Sequence, residues 1–154
     1  MVVNDWQCRL VVESGLTELR LAKGDIVLAQ AQAERFLRAA LATADRTYQA
    51  LAWEVNARVA LAEDNRSRAQ ECIARALSTM EGFEVPLAAW RVHATATELY
   101  ILARDKKSAK HHRELSRATI LKLAESLPAE DPLRKTFLSA PTVAKILDDP
   151  IAAQ

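Results

Sequence analysis

Residues 21–32, LAKGDIVLAQAQ, carry the end of one helix and the beginning of another, with Gly24-Asp25 as the punctuation between them. The same arrangement returns at residues 61–70, LAEDNRSRAQ, and at 101–110, ILARDKKSAK. Ala29, Ala69 and Ala109 align at intervals of 40 residues, and other columns fall into the same register. These are Leu19, Val59 and Leu99; Leu21, Leu61 and Ile101; Gly24, Asp64 and Arg104; and Asp25, Asn65 and Asp105. Asp and Asn accept hydrogen bonds from the free amides of a helix's first turn, so the last column marks the start of each second helix. A small residue one turn later lets two helix axes approach closely. A period of this length is the mark of stacked supersecondary units, here helical hairpins running about 5–44, 45–84 and 85–125.

Composition agrees with a helical chain. Of 154 residues half are apolar, while only 5% are aromatic and three are Gly, a balance that favours helix over strand. The length suits one domain, residues 1–154, with a tail over 126–154. Twenty-one basic and twenty acidic residues leave a net charge of +1, which argues against nucleic acid and against an anionic membrane as partners. No run of eighteen apolar residues and no basic-then-apolar leader occurs, and Cys8 and Cys72 read as two buried thiols, so a reducing cytoplasm is the expected setting.

The repeat resembles the tetratricopeptide family, which has a small residue in its first helix, a Gly-Asp-like turn and an Ala five residues past the Gly, as from Gly24 to Ala29. The small column here is Thr17, Ala57 and Thr97; a large aromatic four residues earlier occurs only at Trp53, and the family's Tyr only at Tyr100. The unit of 40 exceeds the usual ~34 residues and overlaps the length of HEAT and armadillo units. The resemblance implies an all-α, right-handed superhelix of three antiparallel hairpins. Residues 124–147, AESLPAEDPLRKTFLSAPTVAKIL, are similar to the end of the helical-repeat regions of large bacterial signalling ATPases and cyclases. Pro128 should stop the long sixth helix, Asp131-Pro132 should cap and start a short one, and Leu133, Phe137 and Leu138 should fold over the open end of the last hairpin.

No catalytic constellation stands out, and no cofactor or metal is expected. His111 and His112 are adjacent and point about 100° apart on a helix, so they cannot share a metal as an i, i+4 pair could. His93 lies in another helix, in the column of Glu13 and Trp53, and each histidine reads as solvated or partly packed. The segment around His111 and His112, KSAKHHRELSR, lacks the small residues that would open a phosphoryl-accepting ring to a partner. Trp6, Trp53 and Trp90 fall in different columns and read as fillers between hairpins.

In stacked hairpins the first helices line the concave side. The register carried over from the resemblance puts Ser14, Glu54 and Ala94 in one column of that side, Glu18, Arg58 and Glu98 in another, and Arg91 beside Val11 and Leu51. These residues are the expected contact surface for a protein or peptide partner. The chain is therefore expected to be a non-enzymatic protein-interaction module, the C-terminal scaffold or regulatory part of a larger bacterial signalling or transcription regulator. The alternative is a small-ligand sensor that uses the same groove. An apolar stripe of Val3, Trp6 and Leu10 on the first helix is expected to be exposed and to support a weak homodimer.

Overall fold

The computed structural model describes residues 5–148. Its elements are α1 (Asp5–Ala22), α2 (Ile26–Leu41), α3 (Arg46–Ala62), α4 (Arg66–Met80), α5 (Pro86–Leu102), α6 (Lys106–Glu125), α7 (Pro132–Ser139) and α8 (Pro141–Asp148). The fold is all-α, a series of helix hairpins, and there is no strand among the described residues. The chain divides into two compact units, Met1–Ala88 and Ala89–Gln154, the division falling in the first turn of α5.

The turn inside each hairpin is one conformation written three times. Gly24, Asp64 and Arg104 adopt φ of 74°, 53° and 60°, the left-handed region, although only the first is glycine. Around each, the amide of the left-handed residue donates to a carbonyl three residues back (Leu21, Leu61, Ile101) at 3.0 Å. The next amide, of Asp25, Asn65 or Asp105, donates five residues back to Arg20, Ala60 or Tyr100 at 3.1, 2.8 and 2.9 Å. This double bond is the Schellman termination, which satisfies carbonyls that the ending helix would otherwise leave unpaired. The Asn65 and Asp105 side chains then accept from the amides of Arg68 and Ser108, at 3.1 and 3.0 Å, and so start α4 and α6. Asp25 departs from the expectation: it precedes α2 but makes no side-chain cap, its carboxylate instead lying 3.6 Å from the Arg20 guanidinium.

In the first unit the core joins Leu10 of α1 to Ala29, Ala33, Phe36 and Ala40 of α2 and to Ala52, Val55 and Val59 of α3. The alanines, spaced by four and seven residues, lie on one face of α2 on which larger side chains of its neighbours rest. Asn56 is buried on that contact and donates its Nδ2 to the Ala33 carbonyl at 3.0 Å, and Arg68 of α4 reaches back to Glu34 of α2 at 3.6 Å. Ala69, Cys72, Ile73 and Ala76 form the buried face of α4. Leu10 is thus a core residue, 1% exposed, and not part of a surface stripe, because its side of α1 faces α2. Val3 lies outside the described residues.

In the second unit Trp90, Ile120 and Val143 form the core, with Phe137, Leu138, Ile146 and Leu147 packed against them. Asp131 caps α7 by accepting from the Leu133 amide at 2.8 Å, and Pro132 occupies its first turn, where no amide is needed. Leu133 itself points outward, 64% exposed, because Val143 and Ile146 of α8 supply the apolar cover expected of it. Arg117 of α6 donates to the carbonyls of Ile146 and Leu147, satisfying the end of α8.

Candidate functional site

Each hairpin has a slot where one column of its first helix meets its second helix: Glu13 meets Gln32 and Arg35, Trp53 meets Arg75, and His93 meets His112. Each column repeats at the 40-residue period, so the backbone geometry is shared while the chemistry differs. In the first hairpin the slot is ionic. Glu13 is buried, and its carboxylate accepts from Gln32 and, at 3.1 Å, from Arg35, with Arg9 3.8 Å away. In the second hairpin the slot holds Trp53, over whose ring the Arg75 guanidinium sits at 5.5 Å, a cation–π contact.

The third slot holds a pair of imidazoles. His93 Nδ1 and His112 Nδ1 are 2.9 Å apart, so one donates its N–H and the other accepts with its lone pair. Their rings stack at 5.2 Å, the Tyr100 ring lies parallel to His112 at 5.3 Å, and His111 abuts His112 edge-on at 5.4 Å. Burial, then the neighbouring His112 and His111, push His93 down to about 4; burial and His111 lower His112. Both rings are therefore neutral near pH 7, and the lone pair facing the partner nitrogen is already engaged. Considering the histidines one at a time hides this pair. The repeat register exposes it, since His93 and His112 stand in the columns of Glu13 and Gln32, which touch in the first hairpin.

On the first-helix side the structure joins three of the expected contact residues. Arg58 bridges Glu18 of α1 and Glu54 of α3, its Nε lying 2.9 Å from the Glu54 carboxylate. Burial tends to lower the Arg58 pKa, but the two carboxylates together hold it above its ordinary value. Two carboxylates thus share one guanidinium. Glu54 is buried, Glu18 and Arg58 are half-buried, and Ser14 is half-buried one turn before Glu18. Arg91 and Glu98 are exposed on α5, and the Arg91 guanidinium lies 4.9 Å over the Trp90 ring.

A groove of about 630 Å³ opens between the start of α1 and the end of α2. Trp6, Leu10, Ala39 and Ala42 line it, and Arg9 and Asp45 are its charged residues. Trp6 is exposed, and Cys8 is an exposed thiol rather than the buried one expected, since its face of α1 is uncovered; Cys72 is buried, which raises its pKa. Among the described residues no group of three or more His, Cys, Asp or Glu side chains could hold a metal ion, and no helix is long and apolar enough to cross a membrane. Comparison with protein-family models, with curated proteins and with solved structures finds no match to this chain.

Proposed function

We propose that the chain is a non-enzymatic protein-interaction module of tetratricopeptide-like hairpins, which takes a peptide or protein partner along the first helices at Ser14, Glu18, Glu54 and Arg58. The observation that carries the reading is the Glu18–Arg58–Glu54 cluster. It ties α1 to α3 through side chains and so holds a polar surface in fixed geometry, which lowers the entropy lost when a partner docks. Its carboxylates favour a partner segment bearing Lys or Arg. The similarity of residues 124–147 to the ends of repeat regions in large bacterial signalling proteins supports a scaffold or regulatory role inside such a regulator.

Selection of a random peptide library on the chain tests the reading. Basic peptides should be enriched, their binding should perturb the backbone amide signals of Ser14, Glu18, Glu54 and Arg58, and Glu18→Lys should abolish the enrichment. Peptides whose signals map elsewhere, or that survive Glu18→Lys, would overturn it.

A further inference from the structure

The 40-residue register allows each helix face to be compared with its own counterparts, and one face is different. On α3, Ala52, Asn56 and Val59 are buried at 0%, 2% and 0% exposure, in the region where α2 packs on α3. The corresponding residues of α5, Val92, Ala96 and Leu99, are buried too. On α1 the same positions are Val12, Leu16 and Leu19, and they are exposed at 57%, 40% and 47%. The second helix repeats the pattern. Arg68 of α4 reaches Glu34 of α2, whereas its counterpart at the start of α2 is Leu28, an exposed residue.

We infer that Val12, Leu16, Leu19 and Leu28 form a docking face for one further helix of α2's chemistry, carried by a helical hairpin outside residues 5–148 and laid on α1 as α2 is laid on α3. The contact inside the first unit defines what fits: a helix with small residues on one face at steps of four and seven, as Ala29, Ala33 and Ala40 are on α2. The charge pattern refines it. Within the unit the contact includes two polar links, Asn56 to the Ala33 carbonyl and Arg68 to Glu34. Leu16 and Leu28 replace both polar residues, so the incoming helix needs an apolar side chain, and not an acid, at the position of Glu34. A second copy of this chain is the poorer occupant. Its last long helix, α6, already carries α7 and α8, which cover the Trp90 and Ile120 core. Antiparallel pairing of two α1 helices about Gly15 would set the Arg9 and Arg20 edge of one beside the same edge of the other, like charge against like.

A tandem chain tests the inference: a copy of residues 5–44 placed directly ahead of residue 5 of the full chain, which preserves the 40-residue period. The reporter is Leu16→Cys in the native segment, with Cys8→Ser in both segments, read by the rate of labelling with a thiol reagent against the same reporter in the single-length chain. The tandem should protect the thiol tenfold or more, as Asn56 is protected, and changing Glu34→Leu in the added copy should protect it further. Val12→Glu with Leu19→Glu in the native segment should restore fast labelling while leaving helix content unchanged. Equal labelling rates in the tandem and single-length chains would overturn the inference. So would sedimentation of the single-length Leu16→Cys chain as a dimer in which that thiol is already protected.

Discussion

Arg104→Gly should stabilise the protein, although it deletes a charged side chain and adds no contact. Arg104 holds φ at 60° to complete the Schellman turn between α5 and α6. A residue with a β-carbon pays roughly 1–2 kcal/mol to sit there. Glycine removes that strain but loses more chain entropy on folding, about 0.5–1 kcal/mol, leaving a net gain of about 0.5–1 kcal/mol. For a chain of this length that is a rise of about 1–4 °C in the thermal midpoint. Asp64, at φ 53°, should gain less from the same change, because Asp tolerates the left-handed region better than Arg does. Its ion pair with Arg66, at 3.5 Å between exposed side chains, contributes little either way. The converse is Gly24→Ala. A β-carbon there would meet no atom within 4 Å, so its cost, about 1 kcal/mol, comes from the φ of 74° and not from a clash. Urea titrations followed by circular dichroism at constant m-value would give all three differences. An Arg104→Gly chain no more stable than the parent, or a Gly24→Ala chain unchanged, would refute the claim that one strained turn is used three times.

Ala69 is fully buried on α4, so Ala69→Leu should overpack the middle hairpin and cost roughly 1–3 kcal/mol in a denaturation titration. Arg117→Met should leave the Ile146 and Leu147 carbonyls unpaired and speed amide exchange in α8 tenfold or more, with little change in α1. Lowering the pH should weaken the fold through His93. Its pKa drops from 6.5 in the unfolded chain to about 4, so the unfolded chain binds the proton first, and stability present above pH 6.5 is lost progressively as pH falls towards 4. His93→Phe should flatten that part of a stability-against-pH curve, and an unaltered slope would assign the effect to another group.

Much of the hairpin plan could be read from the chain because turns are local. The column of Gly24, Asp64 and Arg104, followed by Asp or Asn, specifies a helix stop and start within a few residues, and the observed helices begin and end around it. Ala29, Ala69 and Ala109 are buried, as small residues at a helix contact should be. What escaped the sequence was the direction in which a given apolar side chain points once the helices are assembled. Trp6, Leu10, Cys8 and Leu133 look alike as apolar or thiol residues near the ends of the chain. Leu10 turned into the core, while Leu133 turned out of it, because α2 and α8 decide which sides are covered. The Arg58 bridge to Glu54 follows from i, i+4 spacing, but its reach to Glu18 spans one whole repeat and depends on the packing of α1 beside α3. The His93 and His112 pair likewise joins two helices, and neither residue announces the other.

The three slots filled by Glu13, Trp53 and His93 make the hairpins unequal under stress even though their backbones are alike. Acid reaches the third through its imidazoles. The second is built on the Trp53 ring and the Arg75 guanidinium, neither of which takes up a proton in acid. The first answers to whatever competes for the Glu13 carboxylate, Arg35 being largely open to solvent. A repeat protein assembled from interchangeable parts can in this way loosen one part at a time, with the choice of part set by the surrounding solution and not by any difference in fold.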